Sequence, residues 1–175
     1  MFPKNRIRPH LFRGDAEFKK LVEKTSGKLL ARGWKMACAE SCTGGWIAKC
    51  CTDLAGSSAW FDRGYITYSY RAKEQMLGIV HDDLVKYGAV SENVASQMAT
   101  GAKLHSKVAV TVSATGIAGP GGGMPGKPVG LVHFAWCIGD RPVECDHDVF
   151  AGDREAVRQQ TVKHALEGII ARLDQ

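Results

Sequence analysis

The sequence lacks the patterns that mark several large classes of protein. None of its 175 residues lies in an apolar run near the roughly 18 residues that a membrane-spanning helix needs, and its basic start has no apolar core of a secretory signal. We therefore expect a cytoplasmic chain with no membrane partner. The net charge is +5, but the basic residues are not interleaved with aromatics and no nucleic-acid module is recognisable, so nucleic acid is not expected as a partner.

Signatures of disulfide frameworks and metal centres are also missing. The six cysteines include no C-x-x-C pair, and none of the six histidines has a second ligand at metal-site spacing. A chain of this length can bury a core without disulfide bonds, so we expect reduced and mostly buried thiols. No metal and no cofactor is indicated.

Helical and strand-like patterns alternate along the chain. Predicted helices cover 15–32, a stretch beginning at 46, 71–77, 91–105 and 154–173, and predicted strands cover 34–39, 61–68, 108–114, 131–138 and 143–149. The alternation predicts an α/β fold, a three-layer α/β/α sandwich around a mixed, mostly parallel sheet. Residues 15–175 are predicted to form one domain, preceded by a basic arm at 1–14 that we expect to be flexible.

The first segment that indicates chemistry is ESCTGG at residues 40–45, between a strand and an apolar helix. A serine at this turn, Ser41, is placed at the end of the sheet, where sites in open α/β folds usually lie. Backbone N–H groups at a helix start lack intrahelical partners, so those of Thr43, Gly44 and Gly45 are candidates for binding substrate or an oxyanion. Helix capping by Ser41 and Thr43 is an equally good interpretation of the same residues.

The second segment, residues 65–73, carries Tyr68 and Lys73 where a strand gives way to a helix. A serine nucleophile needs a base, and no histidine lies in a comparable position. A lysine that is partly buried beside another cation can have a lowered pKa and act as that base, while a tyrosine hydroxyl can relay a proton. A solvated Lys73 and a packed Tyr68 would explain the pattern without any chemistry, because exposed lysines are the rule.

The third segment is the glycine-rich loop that follows the predicted strand 108–114, and the fourth is Gly152-Asp153-Arg154 before the last helix. Consecutive N–H groups in such a loop can form an anion-binding concavity. Asp153 is a good helix cap, whereas Arg154 in the first turn opposes the helix dipole and so is a candidate for binding a phosphate or carboxylate. A mobile loop and an ordinary surface arginine are the simpler alternatives. The candidate ligand-binding residues here are Thr115, Gly116, Ile117, Ala118, Gly119 and Arg154.

Seven short motifs together resemble the CinA C-terminal family. They are AESCTGG at 39–45, AGSS at 55–58, YS at 68–69 with Lys73 and LG at 77–78, GAVS at 88–91, TGIAGP at 115–120, KPVG at 127–130 and GDR at 152–154. They follow the family order and span roughly Leu21 to Leu173.

The resemblance implies an α/β/α amidohydrolase that converts nicotinamide mononucleotide to nicotinate mononucleotide and ammonia in pyridine-nucleotide recycling. By motif position, Ser41 is then the nucleophile and Lys73 and Tyr68 are its proton-transfer partners. The loop 115–120 and Arg154 hold the nucleotide. Small metabolic enzymes commonly form symmetric homo-oligomers, so a dimer is expected.

One position departs from the family pattern. Tyr70 stands where a smaller polar residue, usually Asn, is expected. Its ring would reshape the pocket, so a catalytically inactive relative that binds a pyridine nucleotide is the alternative prediction. An amidase for another carboxamide is a further one.

Overall fold

A computed structural model describes residues 15–175 of the chain, and the predicted arm at 1–14 lies outside them. The helices are α1 (Asp15–Leu30), α2 (Trp46–Asp53), α3 (Tyr70–Leu77), α4 (His81–Tyr87), α5 (Glu92–Ser106) and α6 (Arg154–Leu173). The strands are β1 (Met36–Glu40), β2 (Phe61–Ile66), β3 (Val110–Gly116), β4 (Leu131–Ile138) and β5 (Glu144–Val149), and a 3₁₀ turn covers Ser57–Ala59.

The five strands form one sheet in the order β2-β1-β3-β4-β5. The central strand pairs β1/β2 and β1/β3 are parallel, whereas β4 is antiparallel to both β3 and β5. Because only β4 is reversed among these strands, the expected mixed and mostly parallel sheet is confirmed. The carboxyl ends of β1, β2 and β3 therefore meet at one edge, where Ser41 N–H donates to Ala114 O and Thr67 N–H donates to Glu40 O.

Side chains of β1 alternate between two cores on the two faces of the sheet. Cys38 joins a large core with α1, α2 and α6, whereas Ala37 and Ala39 join a smaller core with α3, α4 and α5. On this second face the β3 side chains are polar, and Thr111 and Ser113 donate hydroxyl hydrogen bonds to main-chain carbonyls of α5. Helices thus cover both faces, which confirms the three-layer α/β/α arrangement.

The structure adds α4 to the predicted helices and shifts the ends of several elements by one or two residues. Helix α4 was not predicted, because its seven residues place only Leu84 in the core and so give little helical periodicity. Strand β2 ends at Ile66 rather than Tyr68, because Ser69 caps α3 by accepting a hydrogen bond from Ala72 N–H. This early ending turns residues 67–69 toward the edge of the sheet where β1 also ends.

Candidate active site

A buried carboxylate organises the turn between β1 and α2. Glu40 is fully buried, and its Oε2 accepts from the N–H groups of Gly45 at 3.1 Å and Ile47 at 3.0 Å while its Oε1 accepts from Ala48 N–H at 2.9 Å. Gly45 has φ 99°, a conformation that side chains rarely adopt, and no side-chain cap of its own. The helix start is therefore capped by Glu40, and the interpretation that Ser41 or Thr43 caps α2 is wrong.

Ser41 meets Lys73 on the opposite face of the sheet from the Glu40 carboxylate. Lys73 Nζ donates to Ser41 Oγ at 3.0 Å and to the carbonyl oxygen of Thr67 at 2.6 Å. Lys73 is 0% exposed and Ser41 is 9% exposed, so little solvent reaches the contact. The alternative of a solvated Lys73 is wrong, and the two residues predicted as nucleophile and base lie in direct contact.

Burial lowers the pKa of Lys73 from its usual 10.5 to about 8, and the neighbouring thiol of Cys42 opposes this shift only partly. A second cation beside Lys73 was expected to help lower its pKa, but none contributes within the described part of the chain. Desolvation of the buried amine is the cause of the lowered pKa. A substantial share of Lys73 is then neutral near pH 8. A neutral amine can accept the hydroxyl proton of Ser41.

The backbone amides after Ser41 fall into two groups. Gly44 N–H donates to Ser41 O, and Gly45 N–H donates to Glu40, so both are occupied. The N–H groups of Cys42 and Thr43 have no main-chain acceptor among residues 15–175. Of the amides near Ser41, these two are the ones available to an oxyanion, and the expected contribution of Gly44 and Gly45 through their N–H groups is not supported.

Arg154 joins Tyr68 to the glycine-rich loop. Its guanidinium donates to Gly119 O at 2.8 Å and to the Tyr68 hydroxyl at 3.1 Å, while Asp153 caps α6 by accepting from Ala156 N–H as predicted. Tyr68 is 63% exposed, and its hydroxyl has no hydrogen bond to Ser41 or Lys73. The structure therefore places Tyr68 with the candidate ligand-binding residues rather than with the Ser41–Lys73 pair.

Thr115 and Gly116 lie at the end of β3 rather than in the loop, and with Ile117 they have structural partners. Thr115 Oγ1 donates to Ala89 O, Ile117 N–H donates to Leu131 O, and a Cβ on Gly116 would lie 2.6 Å from Val132 Cγ2. These contacts hold the end of β3 and the start of the loop against β4 and the segment before α5, so they explain the residue types without a ligand.

The next two residues leave room for a ligand. The N–H groups of Ala118 and Gly119 have no acceptor in the described range, and the Gly119 carbonyl is held by Arg154. Two adjacent unpaired amides beside an arginine are suited to an anion.

Tyr70 is the first residue of α3, and its hydroxyl accepts a hydrogen bond from Ala89 N–H at 3.3 Å. The side chain is 43% exposed. Its hydroxyl is thus held by the main chain between α4 and α5, not by Ser41 or Lys73.

Arg158 is a site residue that the sequence did not indicate. It extends from α6 to the turn at residues 41–45, where Nε donates to Cys42 O and Nη2 donates to Thr43 O, each at 3.0 Å. Its guanidinium also lies over the ring of Trp46, 5.4 Å from the centroid. No local signal could have found it, because 116 residues separate it from Cys42.

A cavity of about 780 Å³ lies on the α1, α2 and α6 side of this turn. Phe18, Trp46 and Arg158 are among its lining residues, but Ser41 and Lys73 are not. The cavity therefore shares the turn with the Ser41–Lys73 pair without containing it.

Neither a metal-binding cluster nor a membrane-spanning helix is present in residues 15–175. No cluster of three or more His, Cys, Asp or Glu side chains in this range has an arrangement that could hold a metal ion. No helix in the same range combines the length and apolarity needed to cross a membrane.

Comparison with known proteins places this geometry in a family. Residues 18–173 match the CinA C-terminal domain. The chain belongs to the CinA C-terminal domain family. The expected family is thereby confirmed, and the match covers the turn, the lysine and the loop described above.

Two curated CinA-domain relatives carry the name nicotinamide-nucleotide amidohydrolase PncC. The Escherichia coli K12 protein is 48% identical over 153 residues, which cover 87% of this chain and 93% of that protein. The Enterobacter agglomerans protein is 52% identical over 139 residues, which cover 79% and 85% of the two chains. These relatives confirm the amidohydrolase class expected from the motifs.

A solved structure confirms the fold of this CinA domain. The competence/damage inducible protein CihA from Agrobacterium tumefaciens superposes with a TM-score of 0.88 at 44% identity, covering 94% of this chain and 99% of that one. The α/β architecture is therefore shared with an experimentally solved relative over nearly its whole length.

Proposed function

We propose that this protein hydrolyses the carboxamide of nicotinamide mononucleotide to nicotinate mononucleotide and ammonia, with Ser41 as nucleophile. The observation that carries the proposal is the buried contact between Lys73 Nζ and Ser41 Oγ at 3.0 Å. The substrate is proposed because the E. coli and Enterobacter agglomerans relatives are named for a nicotinamide nucleotide. A cytoplasmic homodimer remains the expected setting.

In the proposed first step, neutral Lys73 accepts the hydroxyl proton while Ser41 Oγ attacks the carboxamide carbon. The N–H groups of Cys42 and Thr43 stabilise the resulting oxyanion. Lys73 then gives its proton to the leaving nitrogen, the C–N bond breaks, and ammonia departs from an acyl-Ser41 ester. Water activated by Lys73 hydrolyses the ester, which releases nicotinate mononucleotide and restores the hydroxyl.

The nucleotide is proposed to bind at the other end of the site. Arg154 is exposed and uses two of its five N–H donors in the bonds described, so further donors are available to a phosphate. The unpaired amides of Ala118 and Gly119 lie on the same loop segment that Arg154 holds. Thr115, Gly116 and Ile117 anchor this segment to β4 and to Ala89 before α5. Tyr68 is proposed to act there through Arg154.

The test is ammonia release from nicotinamide mononucleotide by the wild type and by Ser41→Ala, with folding of both checked by circular dichroism. We expect the variant to retain its fold and lose turnover by at least 10³-fold, as expected for loss of an activated nucleophile. Free nicotinamide should be a far poorer substrate, because it lacks the phosphate. Substantial activity in Ser41→Ala would remove the serine mechanism.

The same assay addresses the alternative of an inactive relative. Binding of the mononucleotide without ammonia release would favour that alternative. Tyr70→Asn is then the informative variant, because it restores the residue type of the family pattern at the start of α3. Appearance of activity in Tyr70→Asn would identify the ring as the cause.

A further inference from the structure

We propose that Arg158 is a positioning residue that orients the N–H groups of Cys42 and Thr43 toward the oxyanion. These two amides lie in the turn at residues 41–45, which we call the nucleophile turn. This inference rests on the proposed role of Ser41 as nucleophile. It assigns to α6 a part in the chemistry, although Arg158 itself does not touch the substrate.

The contacts of Arg158 suit a positioning role. Its Nε and Nη2 atoms form a fork that holds the consecutive carbonyls of Cys42 and Thr43, and its plane lies over Trp46 at the start of α2. The side chain is half-buried and has no carboxylate partner in residues 15–175. Its positive charge is therefore directed at the main chain of the turn, with a geometry that a flexible lysine cannot reproduce.

A hydrogen bond to a peptide carbonyl also sets the direction of the N–H group in the same peptide unit. In a trans peptide the C=O and N–H of one unit point in opposite directions. Because Arg158 holds the Cys42 carbonyl, the N–H of Thr43 points away from α6. Because Arg158 also holds the Thr43 carbonyl, it orients the N–H of Gly44, which donates to the Ser41 carbonyl and thereby fixes the N–H of Cys42. The N–H groups of Cys42 and Thr43 are the two that lack main-chain acceptors.

Arg158 lies on the other side of the sheet from the Ser41–Lys73 pair, so we expect it to orient the amides of the turn rather than to bind the substrate. Arg158 lies with α1, α2 and α6, whereas Lys73 and the Ser41 hydroxyl lie on the α3 side of the sheet. A guanidinium bonded to a peptide carbonyl also polarises that peptide and strengthens its N–H as a donor. Loss of Arg158 should therefore lower kcat and leave KM nearly unchanged.

Arg172 provides a matched control on the same helix. It is also an arginine that donates to a main-chain carbonyl, that of Gly168, and its guanidinium lies over a tryptophan ring, that of Trp136. It sits at the far end of α6, away from the nucleophile turn. Arg172 also forms an ion pair with Glu144 at 3.0 Å. Arg172→Gln should therefore cost at least as much stability as Arg158→Gln, but only Arg158→Gln should lose catalysis.

The experiment measures kcat and KM for nicotinamide mononucleotide in wild type, Arg158→Gln, Arg158→Lys and Arg172→Gln, together with Tm. We expect kcat of Arg158→Gln to fall by roughly 10- to 100-fold, somewhat less than the loss of a whole oxyanion donor, with KM within about threefold. Arg158→Lys should recover part of the loss, and Arg172→Gln should keep wild-type kcat. An unchanged kcat in Arg158→Gln, or a rise in KM alone, would overturn the inference.

A second measurement keeps the inference testable if the proposed substrate is wrong. A fluorophosphonate reacts with an activated serine by forming an O–P bond and releasing fluoride, and its phosphoryl oxygen needs the same oxyanion donors. If Ser41 is labelled at least tenfold more slowly in Arg158→Gln than in wild type, the inference stands even without hydrolysis of the mononucleotide. Equal labelling rates would overturn it, and an unreactive wild-type Ser41 would remove both proposals.

Discussion

Lys73 Nζ lies 3.0 Å from Ser41 Oγ, although the two residues come from different elements and are 32 positions apart. Thr67 O, at the end of β2, accepts the second hydrogen bond of the same amine. The amine is thereby held between the ends of β1 and β2 with almost no access to water. This single arrangement brings the proposed nucleophile into contact with an amine whose pKa is lowered.

The lowered pKa of Lys73 predicts a specific pH dependence. Because the neutral amine is the proposed base and its pKa is about 8, kcat/KM should rise with pH and reach a plateau above pH 8. Well below the pKa, the rate should fall roughly tenfold per pH unit. A pH series of initial rates checks this, and a flat profile between pH 6 and 9 would exclude Lys73 as the base.

Tyr68→Phe separates two roles for the tyrosine. Its hydroxyl is bonded to Arg154 and is exposed, so we expect the variant to raise KM for the mononucleotide by roughly three- to tenfold. We expect kcat to stay within about threefold of wild type. Steady-state kinetics of Tyr68→Phe distinguish a binding role from a proton-transfer role. A loss of kcat of about a hundredfold or more would instead indicate that the hydroxyl takes part in proton transfer.

The buried amine of Lys73 should also affect stability in a pH-dependent way. Its pKa is about 8 in the folded protein against 10.5 for an ordinary lysine, so the unfolded chain binds more protons between these values and wild-type stability gains as pH rises from 8 to 10.5. Relative to Lys73→Met, the free energy of unfolding of the wild type should increase by on the order of 3 kcal/mol over that window. Urea titrations of both proteins measure it, and a constant difference between them would contradict the prediction.

Removing the Glu40 carboxylate should destabilise the fold. Glu40→Ala leaves the amides of Gly45, Ile47 and Ala48 without their acceptor, which should cost on the order of 3 kcal/mol. Glu40→Gln keeps one acceptor oxygen and should cost less. The exposed Glu167, whose nearest lysine is 3.9 Å away, is the control, and Glu167→Gln should change the free energy of unfolding by less than about 0.5 kcal/mol.

Two helical glycines should respond to alanine in opposite directions. A Cβ on Gly27 in α1 meets nothing within 4 Å, so Gly27→Ala should stabilise by about 0.5–1 kcal/mol through helix propensity. A Cβ on Gly101 in α5 would overlap the Leu77 carbonyl, so Gly101→Ala should destabilise by about 1–3 kcal/mol despite the same gain in propensity. Thermal unfolding of both variants tests the pair, and equal shifts of Tm would show that α5 relaxes away from α3.

Local sequence signals were sufficient to predict much of the fold. Ser91 and Asp153 are the side-chain caps of α5 and α6, and Gly78 ends α3 in the left-handed conformation, as their residue types indicate. The alternation of elements likewise predicted the layers, and the motif order predicted the family. These features were readable because each depends on neighbours within a few residues along the chain.

The site depended on contacts that no local pattern encodes. Lysine is usually exposed, so only the packing of α3 against the ends of β1 and β2 buries the amine of Lys73. Glu40 caps α2 because the turn after β1 folds back over its carboxylate. Arg158 reaches the same turn because α6 passes beside it. By itself, the sequence determined most of the elements, though not α4, and which residues are chemically capable. The tertiary structure decided which of them meet, because desolvation and hydrogen-bond geometry depend on distances across the fold.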